Sequence, residues 1–128
     1  MTLNFQTIVA VGLGGSLGAI ARFYINTQVS KAFPHELPLA TLSVNILGSF
    51  IIGMLIALFM QYSVNDATKA FLITGFLGAL TTYSTFAIES YFLLNSSLIF
   101  ALSNMALNLF GTILAAGSGY KLILYLLK

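Results

Sequence analysis

Thr74 to Phe86 reads TGFLGALTTYSTF, and it lies inside a stretch long and apolar enough to be a membrane-spanning helix. It is too hydrophobic in context for a surface loop. It is also too rich in Gly, Thr and Ser for ordinary lipid-facing helix. Irregular backbone and hydroxyls at membrane depth are tolerated only where protein or a water-filled path surrounds them. The segment therefore reads as a site rather than an anchor.

The surrounding sequence supports the membrane setting. Of the 128 residues, 59% are hydrophobic and 6% are charged, against about 25% charged in soluble globular domains. Residues 1–21, 37–65, 70–88 and 90–120 carry no charge at all. A span needs about 20 mostly apolar residues. Four spans fit, over roughly 4–29, 37–62, 68–94 and 97–126, in a single four-helix domain covering 1–128. No basic segment precedes the first apolar run, so that run is expected to stay as a helix rather than act as a cleaved leader. The chain has no cysteine, which removes disulfides, thiolate nucleophiles and thiolate metal sites. The net charge of +2 gives no reason to expect nucleic acid.

The breaks are legible from turn chemistry. Lys31-Ala-Phe-Pro34-His-Glu36-Leu-Pro38 is a membrane-surface turn with two prolines. In Tyr62 to Lys69, Asn65 or Asp66 is placed to cap the third helix. Asn95-Ser96-Ser97 is short and uncharged, which makes the last two spans a tight antiparallel hairpin. Four spans put both termini on one side. Lys69, Lys121 and Lys128 lie there and Lys31 opposite, a weak bias toward cytoplasmic termini. A chain so weakly biased can insert both ways, and inverted copies are a common way to build a symmetric transport path.

Small residues recur at four-residue spacing: Gly14 and Gly18, Ser49 and Gly53, Gly111 and Ala115, Ala115 and Gly119. Such positions let helix backbones approach closely in lipid. The two halves show no internal repeat, so any symmetry must come from a second chain.

The polar residues inside the spans are few. Arg22 is either an interfacial anchor to carbonyls and headgroups or the electropositive mouth of an anion path. Glu89 is a structural acceptor or a proton carrier. Thr41, Asn45 and Ser49 share one face of the second helix, as a pore lining or as interhelical glue. Asn104, Asn108 and Thr112 form a similar row on the fourth. Two such rows can flank one narrow path. Without a row of acidic residues, that path suits a small anion or a neutral polar solute better than a multivalent cation.

In the third span, Thr81, Thr82, Ser84 and Thr85 supply hydroxyls. Tyr83 and Phe86 are three apart and share a face if that part is helical. Ring edges are electropositive and can meet an anion. Gly75 and Gly78 weaken the helix just before, and a local break there would free carbonyls able to hold a cation.

Three segments together, GGSLGAIARFY (14–24), ATLSVNILGSFIIG (40–53) and TGFLGALTTYSTF (74–86), resemble the Fluc/CrcB family of fluoride channels over nearly the whole chain. Composition leads only to a polytopic membrane protein; fluoride enters through the resemblance alone. The resemblance implies an all-α membrane protein with four transmembrane helices, the third broken near its middle. It further implies an antiparallel, dual-topology homodimer in the membrane lipid, with two fluoride pores and one structural sodium ion at its centre. By motif position, main-chain carbonyls of Gly78 and Thr81 would hold the sodium. Tyr83 and Phe86 would be the paired pore aromatics, and Asn45 the pore asparagine. Ser84 and Thr85 would be hydroxyls along the pore, and Thr112 a further hydroxyl on the fourth helix. Arg22 would sit at the pore mouth, and Glu89 would be the acidic residue after the second aromatic. Tyr83 departs from the family pattern, which has Phe there.

The rivals are a small dual-topology multidrug exporter and a structural membrane subunit. The exporter class depends on a carboxylate in its first helix, where this chain has Arg22. The structural role predicts tolerance to substitution at Asn45. No nucleophile–base pair or metal cluster suggests an enzyme.

Overall fold

The computed structural model describes residues 1–128. The chain is entirely helical, and four helical stretches are long and apolar enough to cross a membrane. They are α1 (Phe5–Ala32), α2 (Leu39–Gln61), an interrupted third span over Asp66–Ser96, and α6 (Leu98–Leu126). Even the shortest, at 23 residues, is about 35 Å long at 1.5 Å per residue, enough for a hydrocarbon core of about 30 Å. The third span consists of α3 (Asp66–Lys69), a π-helical stretch (Ala70–Leu77), α4 (Gly78–Leu80) and α5 (Tyr83–Ser96).

Local chemistry sets the ends. Asn4 caps α1: its side chain accepts from the Thr7 N–H while the Thr7 hydroxyl accepts from the Asn4 N–H. The Asn65 side chain caps α3 by accepting from the Thr68 N–H at 2.8 Å. The other candidate cap, Asp66, is used differently. Its carboxylate accepts from the N–H and hydroxyl of Thr2, at 2.8 and 3.0 Å, tying the chain's start to the third span. Pro34 and Pro38 bracket the α1–α2 turn, where His35 Nδ1 accepts from the Leu37 N–H. Ser97 alone separates α5 from α6, extended at φ −153°, and its hydroxyl accepts from the Phe100 N–H.

Glycine backbones, more than large side chains, bring the helices together. A Cβ at Gly14 or Gly18 would overlap the main chain of Phe71 or Phe76, so α1 lies directly on the π-helical stretch and α4. Gly75 reciprocates, since a Cβ there would sit 2.7 Å from the Val11 carbonyl oxygen. Gly53 and Gly119 perform the same service between α2 and α6, against Ala116 and Phe50. The fully apolar interior is small, built on Val44, Leu77 and Leu80. Most large apolar side chains of α1, α5 and α6 face outward, as expected where the surroundings are hydrocarbon or another chain.

The third span breaks at Thr81 and Thr82. Both are extended, with φ/ψ of −82°/157° and −148°/116°. The glycines expected to weaken the helix are not where it breaks. Gly78 keeps helical angles (φ −61°, ψ −33°), and Gly75 is occupied by its close approach to α1. The interruption falls three residues later, opposite a side chain on α2 able to receive it.

Candidate functional site

That side chain is Asn45. Its Oδ1 accepts from the Thr82 N–H at 2.8 Å, and its Nδ2 donates to the Thr82 carbonyl at 3.1 Å. One amide thus satisfies both main-chain groups of an extended residue at membrane depth, where an unpaired group would be costly. Gly48, one turn along α2, makes room: a Cβ there would overlap the Thr81 methyl group. Beyond the break Thr82 starts α5, its hydroxyl accepting from the Thr85 N–H at 3.3 Å.

These bonds have a consequence for two carbonyls. In an unbroken α-helix the Gly78 carbonyl would accept from the Thr82 N–H, and the Thr81 carbonyl from the Thr85 N–H. Thr82 instead donates to Asn45, and Thr85 to the Thr82 hydroxyl. The break diverts the helical donors of both oxygens.

The two polar rows of α2 and α6 meet. The second Nδ2 proton of Asn45 goes to Asn108 Oδ1 at 3.0 Å. Asn108 Nδ2 donates to the carbonyl and the side-chain oxygen of Asn104, both at 3.0 Å, and Asn104 Nδ2 donates to Ser90 Oγ at 2.9 Å. The Thr112 hydroxyl donates back to the Asn108 carbonyl. Asn104 is 0% exposed and Asn108 5%. These amides bind the helices to one another, and Asn45 and Asn108 also face the cavity beside the break.

Beside the break is a cleft of about 630 Å³. It gathers Asn45, Gly78, Thr81, Tyr83, Phe86 and Thr112, from α2, both halves of the third span and α6. The Tyr83 and Phe86 rings meet edge to face, centroids 5.4 Å apart at 69°, which presents an electropositive ring edge beside a ring face. Tyr83 is 80% exposed and so forms an outer wall.

Four of the residues singled out from the sequence lie outside the cleft. Ser84 is exposed. The Thr85 hydroxyl pairs with that of Thr82 at 3.0 Å. Arg22 lines a separate groove of about 650 Å³ on α1, with Asn26, Ser30 and Lys31. Glu89 Oε1 accepts from the Thr41 hydroxyl at 2.8 Å, while its Oε2 is buried without a partner. Sequence reasoning missed Ser90 and Gly48, which belong to no spacing that marks them, and it counted Thr82 as a hydroxyl when its main chain matters more.

A four-span helical protein, with one span interrupted at depth beside a cleft, has the architecture of membrane channels and transporters, where non-helical backbone lines a path or is buried in protein. A family model described as "CrcB-like protein, Camphor Resistance (CrcB)" matches residues 9–120, and the chain belongs to that family. Relatives named fluoride-specific ion channel FluC are similar over almost their full length. The protein from Sulfurimonas denitrificans is 54% identical over 123 residues, 94% of this chain and 95% of its own. That from Nautilia profundicola is 45% identical over 98% of this chain and its own full length. That from Nitratiruptor sp. is 51% identical over 87% of each. The family is one of ion channels, not enzymes, and this chain is a multi-pass membrane protein.

Proposed function

We propose that the chain is a fluoride-selective channel of the cytoplasmic (inner) membrane that exports fluoride passively. The reading is carried by the cleft at the broken helix, where Asn45 holds an extended Thr82 beside the Tyr83–Phe86 ring pair. The relatives' shared name supplies the ion. A trapped cytoplasmic anion is driven outward by an inside-negative potential, worth about 2.3 kcal/mol per charge per 100 mV, so no nucleotide site is needed. Ring edges and hydroxyls offer many weak donors to a small anion, and conduction requires that none of them bind it too tightly.

The working unit is an antiparallel homodimer with two pores. Tyr83, exposed in the single chain, forms one wall of a pore that the second copy completes, and the outward apolar faces of α1, α5 and α6 meet lipid or that copy. The residues also suit a sodium ion on the dimer axis. Gly78 and Thr81 have lost their helical donors, and carbonyl oxygens without N–H partners are the ligand type a hard cation takes. Bound there, sodium would supply positive charge that ties the two breaks together. Arg22, in its groove on α1, raises the local concentration of anions at the pore mouth. Ser84 and Thr85 continue the hydroxyls along α5, Thr112 adds one from α6, and Glu89 is held by Thr41.

The test is efflux from proteoliposomes, read with a fluoride electrode and with chloride for comparison. Fluoride release without chloride release is expected. Release of neither, or of both alike, would defeat the proposal.

A further inference from the structure

The buried amides of α6 form one directed chain that ends on the helix break, and its last link, Asn108, also lines the cleft. Its direction can be followed link by link. The Thr82 main-chain N–H can only donate, so the atom of Asn45 facing it at 2.8 Å must be oxygen. Asn45 therefore turns its NH₂ to Asn108, whose facing atom must accept. Asn108 in turn presents its NH₂ to Asn104, and Asn104 to the Ser90 hydroxyl. Each amide has one orientation because its neighbour has one.

We infer that Asn108 is a positioning residue for permeation, acting through Asn45 to hold Thr81 and Thr82 extended, with Asn104 and Ser90 fixing Asn108 from behind. Asn108 Oδ1 is the only partner, apart from Thr82 itself, that the Asn45 amide has. Remove it and one Nδ2 proton is left buried without an acceptor, which favours rotation of Asn45 away from Thr82. Thr82 then loses the partner for its N–H and its carbonyl together, and the break loses its only side-chain support from α2. A pore beside the break would change shape through the displaced main chain, beyond the loss of one cleft-lining amide. This inference rests on the proposed fluoride pore.

Two variants and two readouts test it. Asn108→Leu removes the acceptor at similar volume. Asn108→Gln keeps both an acceptor for Asn45 and an NH₂ group for Asn104. Hydrogen exchange, followed by mass spectrometry on the peptide containing Thr81 to Thr85, reports the break without reference to transport. Fluoride efflux per folded protein reports the pore. In Asn108→Leu, exchange at the break should quicken and efflux should fall, each by about tenfold or more, the scale of one buried hydrogen bond. Asn108→Gln should recover most of both. Unchanged exchange in Asn108→Leu, or efflux within twofold of wild type, overturns the inference while leaving the channel standing. If Asn108→Leu does not fold, Asn108→Gln decides alone: exchange and efflux near wild type support the role, and loss of both in a folded protein overturns it. Wild-type vesicles that release no fluoride defeat the pore itself, and this inference with it.

Discussion

Asn45 pairs with Thr82 as one strand residue pairs with another, taking its N–H at 2.8 Å and giving to its carbonyl at 3.1 Å. A side chain here does what a neighbouring strand does elsewhere. It lets two extended residues exist at a depth where only helices and closed barrels ordinarily satisfy the main chain.

Asn45→Asp should abolish most function with little change in shape. The carboxylate keeps an acceptor for Thr82 N–H but sets oxygen against the Thr82 carbonyl and against Asn108 Oδ1. Leaving buried polar groups unpaired costs about 1–3 kcal/mol each. Fluoride efflux from proteoliposomes should fall at least about tenfold, with the protein still eluting as the wild type does. Wild-type rates would show that the amide's donors are dispensable.

Tyr83→Phe should speed the channel. The Tyr83 ring meets Phe86 edge to face, and the residue is 80% exposed, which leaves the hydroxyl facing the proposed path. A hydrogen bond from it to the passing anion would hold that ion by about 1.5–3 kcal/mol. Its removal should raise fluoride flux by roughly tenfold or more with chloride still excluded. Equal flux and selectivity in the two proteins would make the hydroxyl irrelevant.

Sodium should stabilise the folded protein. The Gly78 and Thr81 carbonyls have lost their helical donors, and a ligand that binds only the native state raises stability with its concentration, by about 2.7 kcal/mol at 100 times its Kd. The melting temperature in detergent should climb as sodium replaces N-methylglucamine, and the climb should not be reproduced by added chloride. A flat curve would defeat the proposed sodium site.

Gly14 and Gly12 should differ sharply. A Cβ at Gly14 would overlap the Phe71 carbonyl, while nothing lies within 4 Å of one at Gly12. Gly14→Ala should separate α1 from the third span and destabilise by about 1–3 kcal/mol, as overpacking does. Gly12→Ala should be neutral or slightly stabilising, since Ala is the better helix former. Thermal unfolding of the two variants in parallel is the check, and equal melting temperatures would contradict the close α1 contact.

Much of this architecture is readable from the residues in order. Long uncharged runs have one solution in a bilayer, a helix, because every main-chain group must be paired within its own segment. The four spans, the Asn65 cap and the hairpin at Ser97 follow from that and from turn chemistry. The small-residue pairs at Gly14/Gly18 and Gly53 likewise mark helix contacts that the fold contains. The pairing of Tyr83 with Phe86 follows from a spacing of three on one helix.

What only the tertiary structure decides is the use each polar residue finds. Asn45, Asn104 and Asn108 could line a path or join helices by spacing alone, because an i, i+4 row names a face and not its neighbour. Folding pairs those faces, buries the amides of α6 and aims Asn45 at Thr82. The position of the break has the same origin. Gly75 and Gly78 are the locally weak residues, yet the helix parts at Thr81 and Thr82, because there an amide 37 positions away in sequence replaces the hydrogen bonds that the helix gives up.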